Sequence, residues 1–328
     1  MLSVPKTKED TSVKFRALLL ALLLTASMAL PGAALVLGAA NTQTNSAPIA
    51  ENLSLTTYKG IAITSRFAAT DPDGDSVTFQ IVDSPARGQV TVDENDSAAF
   101  WYTPYEGKKG KDSFTYVAVD EHGNTSEPAT VKIVIEKQQT KVTYSDMTGE
   151  AAAYAATRLA EEKIYVGRQV GDLYCFDPGE VFTREEFLAL AMSVAEVDPL
   201  EDVTLTGFYD DDSISVWAKG YVSAALVEGA VQGSYNDAGQ VVFRGGAEIS
   251  CAEAAVIIDR LLAMGDVTAL PTMAAPAWAA QSAANMEAVS VIPVGAQLNA
   301  PLSRSDAALM LSAMLDVMDS RESKNWIW

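Results

Sequence analysis

Two arginines stand where elementary electrostatics places them poorly. Arg184 in "VFTREEF" and Arg304 in "PLSRSDAALM" each sit in the first turn of a run with helical periodicity. The helix dipole is positive there, so a cation is mildly disfavoured. Their neighbours are easily explained. Thr183/Glu186, Ser250/Glu253 and Ser303/Asp306 are capping-box pairs, a hydroxyl at the N-cap and an acid three residues on, worth about 1 kcal/mol each. The arginines are left over. An anion docked at the helix start would account for them, with the guanidinium gripping a carboxylate by two bonds; a solvated arginine is the plainer reading. A second cluster lies in "DPDGD", where Asp71, Asp73 and Asp75 alternate as calcium ligands can, with Asp120 of "VAVDEHGN" able to join them. The loop is not an EF-hand, since Ser76 and Val82 stand where glycine and glutamate are needed; a Pro-Asp-Gly turn with solvated carboxylates is the plainer reading. A single histidine, His122, takes Ser-His-Asp, Cys-His and multi-histidine zinc chemistry out of consideration.

These residues fall in two composition regimes. Over 46–137, period-2 alternation marks strands: Val77, Phe79, Ile81 in "SVTFQIV"; Phe114, Tyr116, Ala118 in "DSFTYVAVD"; Val131, Ile133, Ile135 in "ATVKIVIE". Turn signals such as "SPARG" and "YEGKKG" separate them, and about seven short strands in about 90 residues predict a β-sandwich. After the polar linker "EKQQTKV", six stretches rich in Ala, Leu, Met and Glu predict helices over 150–163, 183–197, 214–229, 251–264, 276–289 and 303–318.

The helical half repeats. Tyr154-Ala155, Trp217-Ala218 and Trp278-Ala279 each open a unit, 63 and 61 residues apart, and the three capping tetrads open each unit's second helix. In this order, "YSDM…YAATRLAEEKIYVG…CFDPGEVFTREEF" and its two variants over 143–319 resemble the S-layer homology repeat family. The resemblance implies an all-α pseudo-trimer of three repeats, 143–198, 205–265 and 270–319. It implies that the grooves between them hold a pyruvylated secondary cell-wall polysaccharide. Carried over, Arg184 and Arg304 would meet the ketal carboxylate, Asp146 and Asp210 the sugar, and Tyr154, Trp217 and Trp278 would line it. Thr272 replaces the third aspartate and Cys251 the second arginine, so at most two grooves are expected to be competent. Residues 46–136 resemble bacterial immunoglobulin-like or cadherin-like modules, which implies an extracellular protein or glycan ligand and, through Asp71, Asp73, Asp75 and Asp120, a Ca2+ site.

The first forty residues differ in kind. Lys6, Lys8, Lys14 and Arg16 precede 24 uncharged residues ending in small side chains, the pattern of a secretory signal cleaved after Ala40; an uncleaved membrane anchor is the competitor. A net charge of −20 opposes binding to nucleic acid or anionic membranes. The two cysteines, Cys175 and Cys251, would pair only if the fold brings them together. The sequence therefore predicts a multidomain, non-catalytic surface protein of a Gram-positive-type envelope, an all-β Ig-like sandwich on an all-α wall anchor. A calcium-dependent adhesin with purely structural repeats and a hydrolase with a wall-binding tail are the alternatives.

Overall fold

The computed structural model describes residues 45–268, 270–293 and 295–325. The expected signal segment, 1–40, lies outside them. Among the described residues no helix is long and apolar enough to cross a membrane.

The alternating stretches do form strands: β1 (Ile49–Ala50), β2 (Leu53–Tyr58), β3 (Ile63–Arg66), β4 (Ala69–Thr70), β5 (Val77–Asp83), β6 (Gly88–Val92), β7 (Ala99–Pro104), β8 (Gly110–Asp120) and β9 (Ala129–Glu136). They build a four-stranded sheet, β2-β9-β8-β5, and a three-stranded sheet, β3-β7-β6; β1 pairs with β4 alone. All pairings are antiparallel except β2 with β9, which run parallel. The inward residues of each strand face the other sheet, so Phe67, Phe100, Tyr102, Phe114, Tyr116, Val131, Ile133 and Ile135 make one dry core. The Tyr116 hydroxyl is satisfied there by the carbonyls of Glu51 and Ala68. Gly88 is required by packing, because a Cβ at that position would sit 2.5 Å from the Tyr102 ring.

Among the described residues six α-helices follow: α1 (Ala153–Glu161), α2 (Arg184–Val194), α3 (Lys219–Val227), α4 (Cys251–Leu262), α5 (Ala280–Ala288) and α6 (Arg304–Asn325). Small hairpins, β10 (Arg168–Val170) with β11 (Leu173–Cys175) and β12 (Ser234–Tyr235) with β13 (Val241–Val242), sit between the helices of the first two pairs. The helix starts are capped as expected. Thr183 and Ser250 close full capping boxes with Glu186 and Glu253. Ser303 Oγ accepts from the Asp306 amide at 3.0 Å and donates to its carboxylate.

The helix pairs interlock in a ring. α2, α4 and α6 pack on one another, while α3 packs on α2, α5 on α4 and α1 on α6. Backbone bonds repeat the same circuit. The amides of Arg184 and Glu185 donate to the carbonyls of Ala247 and Gly245; those of Cys251 and Ala252 to Ala300 and Leu298; those of Arg304 and Ser305 to Glu180 and Pro178. Isolated bridges join 181 to 303, 183 to 248 and 250 to 301. Each second helix thus starts against the loop that leads into another.

Arg158 braces the ring from within, and Glu161 and Tyr154 fasten it to the linker and the sandwich. Arg158 of α1 is buried and bonds the Ser312 carbonyl, Asp316 and Asp319 of α6. The linker is tied down by Glu161, whose carboxylate accepts from the amides of Gln139 and Thr140 and from the Thr140 hydroxyl. Beside it Tyr58 of the sandwich stacks on Tyr154 of α1, ring centroids 5.6 Å apart.

Replacing Arg158 by Met keeps the stem but deletes bonds made by a charged donor. Urea denaturation should show a loss of about 2 kcal/mol, the scale of hydrogen bonds to charged groups.

Candidate functional site

The two arginines end up in matched positions with different partners. Arg184, at the first turn of α2, has its guanidinium 5.3 Å from the centre of the Phe243 ring and Nη1 3.0 Å from Glu253 Oε1. The ion pair is close but badly aimed, for neither Nε nor Nη1 makes a hydrogen bond although both are buried. Burial pushes its pKa below the ordinary guanidinium value; Glu253 opposes the shift, and Arg244 and Arg260 add to it. Arg304, at the first turn of α6, lies 5.3 Å from the Phe182 ring centre, with Nη1 3.6 Å from Asp177 Oδ2 and a buried, unpartnered Nε. It opens on a cleft of about 420 Å3, shared with Tyr165, Gly167, Arg168, Asp177 and Glu180.

One expectation about these helix starts is corrected. An anion was to be held jointly by the arginine and by free amides of the first turn. The first two amides of α2 and α6 are already spent on loop carbonyls, and the amides of Glu186 and Asp306 on the caps. Only the guanidinium groups remain to receive an anion.

The third matched position is Cys251 of α4. It lies in a cleft of about 280 Å3 with Gln297, Pro301 and Asp306. Burial pushes its thiol up to about 11, with Asp306 adding to the shift. It is therefore a neutral, buried group. Cys175 and Cys251 are both free thiols and do not pair.

The aspartates carried over from the family resemblance have full structural employment. Asp146 accepts the amides of Phe176 and Asp177, and Asp210 accepts those of Phe243 and Arg244, at 2.7–3.0 Å. Each pins the turn that carries a cleft residue. In the third pair Thr272 instead bonds Glu287. The aromatics divide as well. Trp217 and Trp278 are 53% and 62% exposed, whereas Tyr154 is covered by Tyr58. Tyr154 is thus an interface residue, taken out of any surface site by the sandwich.

Sequence reasoning missed Arg168 and Arg244. Arg168 bonds both oxygens of Asp177, at 3.1 and 3.4 Å, and Arg244 approaches Glu253 to 3.8 Å. Neither belongs to a recognisable motif. The one signal available was their place beside a glycine, Gly167 and Gly245, between the two helices of their pairs.

The expected calcium ligands scatter. Asp71 Oδ1 accepts the amides of Asp73 and Asp75, and Asp73 turns to the Ser46 amide. Asp75 and Asp120 do converge, but with His122, whose Nδ1 lies 3.0 Å from Asp75 Oδ2. Asp120 is buried and accepts from Asn45, Asn124 and two backbone amides. Calcium needs six to eight oxygens around it. Asp120 is committed to amide donors and Asp75 to the His122 imidazole, which fits a hydrogen-bonded turn.

Comparison with known proteins agrees with the sandwich. Residues 45–134 match the bacterial Ig domain family. The match is confined to the sandwich, and the S-layer homology repeat is not matched. No curated protein matches this chain. Among solved structures, an endo-fucoidan hydrolase of glycoside hydrolase family 107 is similar at 24% identity over 29% of this chain and 14% of its own, TM-score 0.23. The sialic acid binding region of a Streptococcus sanguinis adhesin is similar at 19% identity over 30% of this chain and 31% of its own, TM-score 0.21. The SrpA adhesin from Streptococcus sanguinis is similar at 18% identity over 38% of this chain and 81% of its own, TM-score 0.24. The chain therefore spans a minor part of the hydrolase and of the binding region.

Two outcomes are expected. Chelator and added calcium should give the same melting temperature, since Asp71 Oδ1 and Asp120 already accept backbone amides. The second concerns Asp211, which precedes α3 and whose carboxylate is held down to about 2 by Lys219 and by the Thr206 amide and hydroxyl. A depressed carboxyl stabilises the fold above its unfolded pKa, about 3.9, and that contribution is lost as pH falls through the folded value. Asp211→Asn should lower stability at neutral pH and flatten the loss between about pH 4 and pH 2, read by circular dichroism.

Proposed function

We propose that this is a non-catalytic cell-surface protein, exported and held to a carboxylated secondary cell-wall polysaccharide by its helical ring, which displays the bacterial Ig domain outward. In this reading the three helix pairs are S-layer homology repeats forming a pseudo-trimer on a Gram-positive-type envelope. One observation carries it. Two guanidinium groups are held rigidly over phenylalanine rings at matched helix starts, with buried N–H groups that no protein acceptor satisfies. Arg304 borders a cleft of about 420 Å3, from which a carboxylate of the glycan would come within reach of its guanidinium. Exposed Trp217 and Trp278 supply flat apolar faces of the kind a pyranose ring packs against. Weak contacts to a repeating polymer sum to useful retention when two clefts engage.

The reading is non-catalytic because the aspartates in matched positions, Asp146 and Asp210, are each tied down by two backbone amides. A glycosidase instead needs a free carboxylate pair across the sugar.

Purified protein mixed with isolated walls should sediment with them, and acid removal of pyruvate ketals should abolish this. Arg184→Ala combined with Arg304→Ala should lose most retention with unchanged helical circular dichroism, since the caps remain. Full retention by the double variant would refute the anchoring role of the arginines.

A further inference from the structure

Charge is sorted along the Ig sandwich. Strand order and direction put the segments 71–76, 93–98 and 120–127 at one end, and 59–62, 84–87, 105–111 and 137–138 at the other. The first end carries nine carboxylates and no lysine or arginine. The second carries Lys59, Arg87, Lys108, Lys109, Lys111 and Lys137 against one acid, Glu106. β8 runs from one end to the other, about 33 Å at 3.3 Å per residue. The Debye length at physiological salt is about 8 Å, so the carboxylates of the far end do not cancel the field of the basic end.

Four of these cations are gathered by a fixed frame. Asp112 of β8 accepts the amides of Ala86 and Arg87 at 3.0 and 2.8 Å, and at 2.7 Å the hydroxyl of Tyr102, a fully buried residue. This ties the 84–87 turn to the start of β8. The Arg87 guanidinium donates to the Lys109 carbonyl at 3.2 Å, and the Arg87 carbonyl accepts the Tyr105 amide. Gly107 and Gly110 bracket Lys108 and Lys109 with left-handed backbone, φ 75° and 89°, which glycine adopts without steric cost. Arg87, Tyr105, Lys108, Lys109 and Lys111 are all exposed. Yet among the described residues none of the four cations has an ion-pair partner, in a chain with 43 acids against 23 bases. The bordering acids are engaged elsewhere: Asp112 in the frame, and Asp83 with the Thr115 hydroxyl. Like charges gathered on one loop pair repel, and an external counter-charge relieves that repulsion.

We propose that this end of the Ig domain, through Arg87, Lys108, Lys109 and Lys111, is a contact surface for an anionic polysaccharide, one with carboxylate or phosphate groups recurring along a flexible chain. Lysine ammonium groups are point charges on flexible stems, suited to charges that recur without a fixed geometry. Tyr105, 48% exposed and bonded to Arg87 through its amide, adds a ring face against which a sugar packs. Single-stranded nucleic acid asks for a series of aromatic platforms, and a membrane surface for a broad apolar face beside the cations. Within 84–87 and 105–111, Tyr105 is the one large apolar residue exposed. The proposal takes its polymer class from the surface-protein reading above, but it does not depend on Arg184 or Arg304.

The test uses the full chain with Arg184→Ala and Arg304→Ala as the parent, so that neither arginine contributes. Affinity electrophoresis through polygalacturonate, poly(glycerol phosphate) or uncharged dextran, each against a gel without polymer, reads the binding. At least one anionic polymer should retard the parent, and dextran should not; the two anionic gels separate carboxylate from phosphate as the preferred charge. Lys108→Gln, Lys109→Gln and Lys111→Gln together should weaken binding about tenfold and flatten its salt dependence, because fewer counterions are released. Arginine at the same three positions should preserve it. The three side chains are exposed, so the melting curves of these variants should coincide. Equal retardation of the glutamine variant and its parent, or no retardation of the parent by either anionic polymer, overturns the proposal. So does tighter lysine-dependent binding to single-stranded DNA or to phosphatidylglycerol vesicles, which would make the partner one of another class. None of these outcomes touches the anchoring role of the arginines, and failure of that role leaves the basic end of the sandwich as it stands.

Discussion

The ring of backbone hydrogen bonds between helix starts and neighbouring loops governs the rest of the helical half. A helix start leaves four amides without partners. Here α2, α4 and α6 each give the first two to another loop's carbonyls, and a capping side chain takes the third. Each helix is thus positioned by a segment far away in sequence, and the three together close on themselves. The residue at the first helical position is pressed against that loop. At two of the three positions it is an arginine, and the third holds a buried cysteine.

This circuit also changes the meaning of the arginines. With the amides used, the helix start offers its dipole but no free amide donors in the first turn. The guanidinium's rotamer is constrained by an aromatic ring beneath it and an acid beside it. The same logic explains Asp146 and Asp210. These residues hold the two turns, Phe176-Asp177 and Phe243-Arg244, and Asp177 lines the cleft beside Arg304.

The two halves of the chain are joined at a cost to symmetry. Tyr154 corresponds to Trp217 and Trp278, yet it stacks on Tyr58, and Glu161 clamps the linker beside it. The first helix pair supplies the platform for the Ig domain, while the other two keep their tryptophans exposed. Arg158 braces α1 against α6 at the same end.

What the sequence determined by itself was local. Alternation marked β5, β8 and β9, because a half-buried strand must repeat every two residues. The Thr-x-x-Glu, Ser-x-x-Glu and Ser-x-x-Asp tetrads marked three helix starts, because both capping partners lie within one turn. The recurrence of aromatic-alanine pairs marked three helix pairs. What only the tertiary structure decided was which side chains from different segments meet. Arg184 with Glu253, Asp177 with Arg168 and with Arg304, Tyr154 with Tyr58, and His122 with Asp75 are separated by nine to 127 residues. Cys175 and Cys251 were equally undecided until the fold kept them apart. A short-range pattern records the geometry of one helix or strand; the charge of a cleft depends on how several of them pack, and no spacing along the chain encodes that.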